Sequence, residues 1–250
     1  AYPLSLRAVN WIKFHHSGTK LSPEMQQNLA QQIHWLSHQI EWHLCGNHLF
    51  ANAKALIAGG CFFDGKEADR WLMQGINILD REISEQILPD GGHFELSPMY
   101  HALMTEDILD LIAITDCYQM PSLLQRRGLL ARTAGAMLNW LETMCHPDGQ
   151  ISFFNDAALG IAPSLEDLKS YGNSLGLMQA DSVDTVLKQL PDSGYYRADI
   201  GKFSLLADMA DVGASYIPGH AHADSLSFEL SVDGFRLIVN GGTSTYNPGQ

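Results

Sequence analysis

The chain has 250 residues, 46% of them hydrophobic, and a formal net charge of -13 from 28 acidic and 15 basic side chains. That size and apolar content imply a globular chain with core enough for two domains, and the acidic balance excludes a nucleic-acid partner, which would require clustered Lys and Arg. No run of eighteen apolar residues occurs, so no membrane span is expected, and the opening AYPLSLRAVNWIKF lacks the basic, apolar, small order of a secretory signal.

From residue 5 to 146 the pattern is helical. Ser22-Pro23 and Ser97-Pro98 each offer an N-cap followed by proline at the first helical position, where its missing N–H costs nothing. Leu72, Ile76, Leu79, Ile83 and Ile87 form one apolar stripe, and Leu103, Met104, Ile108, Leu111 and Ile112 another. Gly46 and Gly59-Gly60 read as helix ends. About six helices with short connections are expected. Cys45, Cys61, Cys117 and Cys145 have no CxxC spacing and are expected to be reduced, buried thiols.

An internal echo runs through the helical part. The segments ILPDGGHFELSPMY and CHPDGQISFFNDAA both follow long helices, and Asp90 and Asp148 are 148 - 90 = 58 residues apart, about two helices with their turns. Each Pro-Asp-Gly is expected to make a tight turn on the same rim of a helical array. The stretch 161–194, with Pro163, Gly172, Gly176 and Pro191, reads as a linker with a helical turn or two.

After residue 195 the period becomes two. YYRADI, KFSLLADM, SLSFELSVD and FRLIVN have strand length, and Asp233-Gly234 marks a hairpin turn. Alternation predicts Leu226, Phe228, Leu230 and Val232 on a buried face and Ser225, Ser227, Glu229 and Ser231 on a wet one. The expected class is α+β with several domains: helices over 1–160, a linker over 161–194 and an antiparallel sheet over 195–250.

Three polar clusters could carry chemistry. In GHAHADSLSFEL, read as a strand, His220, His222 and Asp224 share a face. They suit a zinc site, a catalytic group, or a buried network whose members satisfy one another. Asn47 and His48 follow Gly46, either as a cap and a solvated first-turn residue or as a functional pair. Tyr100 extends the apolar stripe of its helix and reads either as a core tyrosine with its hydroxyl at the rim or as a reactive phenol.

Together YPLSLRAVNWIKF, GNHLFANAKAL, DGGHFELSPMYHALM, PDGQISFFND, GHAHADSLSFEL and FRLIVNGGTSTY resemble, in order and spacing, the heparinase II/III-like polysaccharide lyases and their alginate-lyase relatives. The resemblance implies an incomplete α/α toroid followed by the first strands of an antiparallel β-sandwich, with the cleft where the two meet. It implies β-elimination on an anionic uronic-acid polysaccharide, in which the proton beside the uronate carboxylate leaves and the glycosidic oxygen departs from the neighbouring carbon. Asn47 and His48 then match the pair that neutralises the carboxylate, as an oxyanion hole would. Tyr100 matches the catalytic tyrosine; as a base it must give up a proton ordinarily held to about pH 10. His220 matches a second base or charge stabiliser, and Glu95, His101 and Asn52 fall at substrate-contacting positions.

His222 matches a zinc ligand of some members, but Asn240 stands where a carboxylate ligand is expected. An amide is the weaker ligand, so no cofactor is expected to be required and no zinc to be held tightly, although zinc is conceivable in the full-length protein. The resemblance also suggests a bacterial periplasmic or secreted location; it leaves the oligomeric state open. Two rivals stand beside it. A glycoside hydrolase would use Glu95 with Asp90, Asp148 or Asp156 as acid and base, and a non-catalytic sugar-binding relative would bind uronates without turnover. The acidic balance disfavours very highly sulfated substrates, which a local basic lining from Arg7, Lys13 or Arg197 would offset.

Overall fold

The structure, a computed structural model, describes residues 1–177, 186–213, 216 and 218–243. Helices come first: α1 (Tyr2–His16), α2 (Pro23–His38), α3 (Gly46–Phe62), α4 (Lys66–Gln86), α5 (Pro98–Tyr118), the short α6 (Pro121–Leu124), α7 (Arg127–Met144) and α8 (Leu165–Ser174). Strands β1 (Leu187–Leu190), β2 (Tyr195–Ile200), β3 (Phe203–Asp208), β4 (Phe228–Val232) and β5 (Phe235–Ile238) follow, in one antiparallel meander in chain order. The change of period at residue 195 therefore marks a real change of architecture.

The chain divides into two compact units, residues 1–85 with 111–127, and residues 86–110 with 128–250. The division does not fall at 160 or 195, because α7 shares a core with the sheet: Leu96, Trp140, Met144, Phe154, Leu190, Tyr195 and Leu206 form one buried cluster. The expected linker is also more ordered than its prolines suggest. It holds the ten-residue α8, closed by a capping box between Ser164 and Asp167, and the whole of β1; residues 178–185 of it lie outside the described residues.

In the first unit α1 packs on α2 and α3. The N-cap expected at Ser22 is present, its hydroxyl accepting from the Met25 N–H at 3.2 Å. Every residue from Leu49 to Gly60 of α3 is buried, as befits a helix whose side chains, Asn52 and Lys54 apart, are apolar all round. Of the glycines read as helix ends, Gly46 is one and Gly59 and Gly60 are not. Gly46, at φ 51°, opens α3, and Gly59 and Gly60 lie inside it. A Cβ on Gly60 would come 2.6 Å from the Leu72 amide nitrogen and 2.8 Å from the Ala68 carbonyl oxygen. Close approach of two helix backbones, not chain reversal, is what requires glycine there.

In the second unit the 58-residue echo is literal. Leu88 N–H bonds Gly92 O and Gly91 N–H bonds Leu88 O; His146 N–H bonds Gln150 O and Gly149 N–H bonds His146 O. The bridges Ile87 to His93 and Cys145 to Ile151 obey the same offset, and Asp90 and Asp148 each accept the N–H two residues on at 2.9 Å. The second oxygens diverge. Asp90 Oδ2 accepts from the N–H of Asp192 and Ser193 and from the Ser193 hydroxyl, between β1 and β2. Asp148 binds Arg236 of β5 through both carboxylate oxygens.

Strand faces are the reverse of the expectation. Glu229 and Ser231 are buried, whereas Phe228 is 45% and Leu226 78% exposed. Beside Glu229 and Ser231 lies the polar His146, just after α7: its Nδ1 meets Ser231 Oγ at 2.7 Å and its Nε2 meets Glu229 Oε2 at 2.5 Å. Arg197 of β2, expected as substrate lining, instead binds the Thr143 and Cys145 carbonyls at the end of α7 and pairs with Asp199. His220, His222 and Asp224 are not on a strand; a 3-10 turn spans Pro218–His220 and β4 starts only at Phe228. Of the cysteines, all free, Cys145 alone is buried and Cys117 is exposed.

Gly60→Ala tests the helix crossing. Alanine favours an isolated helix by about 1 kcal/mol over glycine, yet here the methyl group meets main-chain atoms that cannot yield, and overpacking of this kind costs about 1–3 kcal/mol or more. Denaturant unfolding should show a net loss of stability; a gain would mean that the helices separate at no cost.

Candidate active site

Tyr100 stands in the first turn of α5. Ser97 caps that turn, its hydroxyl accepting from the Tyr100 N–H at 3.3 Å while its carbonyl accepts from the His101 N–H at 2.8 Å. Against Tyr100 lies the imidazole of His220, with ring centroids 3.8 Å apart and planes inclined by 34°. His220 Nδ1 is 2.8 Å from Asp156 Oδ2, and Nε2 is 3.6 Å from Glu95 Oε2. Both carboxylates are buried, while the imidazole keeps 23% of its side-chain surface accessible. A phenol, an imidazole and two carboxylates thus converge in the second unit, from residues 95, 100, 156 and 220.

Beneath them runs a buried polar scaffold. Asn155, at φ 56°, donates its side-chain amide to Leu96 O and Tyr195 Oη, both at 3.1 Å, and accepts the His222 N–H at 3.0 Å. Asp224 Oδ2 accepts from the Asn155 N–H at 2.6 Å. Tyr195 donates to Leu96 O at 2.7 Å; burial, reinforced by the nearby charges of Asp208 and Asp224, pushes its phenol well above the usual value. Asp208 is raised to about 6, by burial first and by Asp224 second, against the opposing hydrogen bond from the Ala210 N–H.

Other expected site residues have supporting places. His101 is fully buried against Trp140, with Nδ1 accepting from the His93 N–H at 3.1 Å and Nε2 2.9 Å from Met137 O. Burial lowers its imidazole to about 4, so it is neutral near pH 7. Such a ring is not open to a sugar; it fixes the segment that carries Glu95. His93, also buried, is held well below the usual imidazole value by burial and by the neighbouring imidazoles His101 and His220.

Within the first unit, Asn47 and His48 lie in the first turn of α3. The half-exposed His48 ring stacks on Tyr2 at 4.5 Å, with Nδ1 3.5 Å from Glu41 Oε2. Asn52 is buried: it accepts the Glu41 N–H at 3.0 Å and donates to Ser5 Oγ and Glu41 Oε2. Like His101, it shapes a support rather than a surface.

His222 Nε2 lies 3.5 Å from Thr243 Oγ1. The Asn240 amide donates to Asp224 Oδ2 and Ser227 Oγ, and its oxygen accepts the Gly241 N–H at 2.7 Å. With both ends of Asn240 engaged, a single imidazole is left, and among the described residues no group of three or more His, Cys, Asp or Glu is placed to hold a metal. Sequence reading gave Asp156 only the part of a hydrolytic carboxylate and overlooked Asn155; the available signal was an Asn-Asp pair just after a tight hairpin, where asparagine tolerates a positive φ.

The model of the heparinase II/III N-terminus matches residues 9–175, and that of the heparinase II/III-like C-terminal region matches residues 183–250. The chain belongs to the heparinase II/III family. Within this family it is similar to the heparin-sulfate lyase of Bacteroides stercoris, 29% identical over 216 residues that make up 80% of this chain and 32% of that protein. It is also similar to the heparin-sulfate lyase of Pedobacter heparinus, 26% identical over 242 residues, 90% of this chain and 35% of that one. The chain spans about a third of the length of the curated relatives it matches. Among solved structures, a heparinase III superposes with a TM-score of 0.81 at 19% identity over 98% of this chain and 43% of that one. The heparan sulfate lyase HepC from Pedobacter heparinus gives 0.70 at 22% identity, over 100% and 42%. The fold is that of the family, toroid helices followed by antiparallel sheet.

Asp208 supplies a pH test of the scaffold. Its carboxyl is raised in the folded state above the ordinary unfolded value of about 3.9. The folded protein therefore holds the extra proton between these values, and stability falls as pH rises through about 6. Asp208→Asn keeps an acceptor for the Ala210 N–H and removes the charge, so it should raise the melting temperature at pH 7–8, by up to about 2–3 kcal/mol of stability, with the advantage vanishing near pH 4. Melting curves from pH 4 to 8 on both proteins decide it.

Proposed function

We propose that the protein is a polysaccharide lyase that cleaves a uronic-acid glycan by β-elimination, with Tyr100 and His220 at the reacting bond. The contact of Tyr100 with His220 at 3.8 Å, between two buried carboxylates, is the observation that carries the reading. Elimination needs a base for the proton beside the uronate carboxylate and an acid for the departing oxygen. The electron pair of the broken C–H bond forms a carbon–carbon double bond, and the C–O bond to the leaving sugar breaks. Phenol and imidazole in contact supply two groups able to exchange protons on one side of a sugar ring.

Hydrolysis is less well supported, since Asp90 and Asp148 are consumed by turn and sheet contacts and Asp156 is engaged by His220. The names of the relatives favour a heparin- or heparan-type glycosaminoglycan as substrate. Such polymers lie outside the cell, which favours a periplasmic or secreted enzyme, and no helix among the described residues is long and apolar enough to cross a membrane. The commitment of both ends of the Asn240 amide supports elimination that needs no zinc at His222.

The whole protein, incubated separately with heparan sulfate, heparin, alginate and hyaluronan, should generate the near-ultraviolet absorbance of an unsaturated sugar with the first of these. His220→Ala should lower that rate by about 10²–10⁴-fold with the melting curve preserved; full activity in this variant removes His220 from the mechanism. Elemental analysis should find zinc well below one per chain, and chelation should leave turnover unchanged; stoichiometric zinc whose removal stops the reaction would refute the metal-free reading.

A further inference from the structure

The geometry points to Asp156 as a positioning residue that fixes the proton-bearing nitrogen and the ring orientation of His220 and ties both to Tyr100. Its catalytic consequence rests on the lyase reading above; its structural content does not. Asp156 grips the histidine twice. Its carboxylate lies 2.8 Å from Nδ1, and its own N–H bonds the His220 carbonyl at 3.0 Å. It is tied to the tyrosine by a third bond: the Ser97 hydroxyl donates to the Asp156 carbonyl at 2.6 Å and accepts the Tyr100 N–H at 3.3 Å. One residue thus connects, through two short paths, the helix start that carries the phenol and the turn that carries the imidazole.

The charge adds a chemical constraint that the backbone bonds alone would not. A carboxylate 2.8 Å from Nδ1 meets repulsion from a ring lone pair and attraction from an N–H, so it selects the form protonated at Nδ1. Nε2, on the Glu95 side, is then the nitrogen left to take up or release a proton. Asp156 is 3% exposed, and a carboxylate taken so far out of water is costly unless paired. A side chain serving only to hold the loop could be an amide, which would keep both backbone bonds.

That difference defines the experiment. Asp156→Asn preserves the main-chain links and the side-chain shape, but its amide can turn either end to the ring. With histidine labelled in the whole protein, and the His220 signals assigned by their loss in His220→Gln, two-bond nitrogen–proton NMR should show Nδ1 protonated in the wild type. Asp156→Asn should redistribute that proton between the ring nitrogens. On the polymer that the wild type cleaves, kcat should fall about 10–100-fold, the scale of a small misplacement, with KM within about twofold; Asp156→Glu, retaining the charge, should recover part of the loss.

An unchanged His220 signal in Asp156→Asn overturns the proposal whatever the activity. Should that variant not fold, the wild-type spectrum still decides, because a His220 protonated only at Nε2 is incompatible with the clamp and one protonated at Nδ1 is what the clamp requires. A wild type that cleaves no uronate polymer, yet shows the expected change of signal, would defeat the lyase reading and leave the clamp standing.

Discussion

Glu229 lies fully buried in β4 with both carboxylate oxygens engaged, one by His146 and the other by the N–H groups of Phe153 and Asn240. Three segments are fastened at this point: the turn after α7, the loop over residues 152–156, and the chain leaving β5. A buried polar network of this kind adds little net stability, but removal of one member leaves its partner unsatisfied, at a cost of about 1–3 kcal/mol. Its value is positional. The loop pinned by Glu229 at Phe153 is the loop that places Asn155 and Asp156, and through them His222 and His220.

The two Pro-Asp-Gly turns show how one local solution serves two purposes. Both fold by the same main-chain bonds, and both use the first aspartate oxygen to close the turn. The remaining oxygen is free to specialise, toward the β1–β2 connection from Asp90 and toward Arg236 from Asp148. After the first turn comes the segment that supplies Glu95 and Tyr100; after the second comes the segment that supplies Asp156. The converging groups of the second unit are therefore delivered largely from equivalent places in a repeated hairpin, together with His220 from the sheet side.

Local signals in the sequence were accurate where a single element decides the outcome. The caps at Ser22 and Ser97, the turns at Asp90 and Asp148 and the strands from 195 onward are all present. Failures came where a neighbour decides. Gly59 and Gly60 look like punctuation until another helix is found against them. Alternation in SLSFELSVD gives the period but not which face is covered, because the polar His146 that covers it favours Glu229 and Ser231 over Phe228. His101 and Asn52 sit among motif residues yet point into the interior, and no spacing rule separates a ring that touches substrate from one that holds its neighbour. Tyr100 and His220 were legible as candidates, whereas their contact depends on how the long chain between them folds.

The Ser97 hydroxyl, accepting from one strategic segment and donating to another, has an energetic implication. Charges and dipoles around the imidazole are set in place by the folding of the protein and not by the arrival of a ligand. A reacting sugar would encounter an environment whose orientation work is already complete, so little of the barrier need be spent on turning dipoles as charge develops. The corollary is rigidity, since a shift of any one member of this knot would drag the others along.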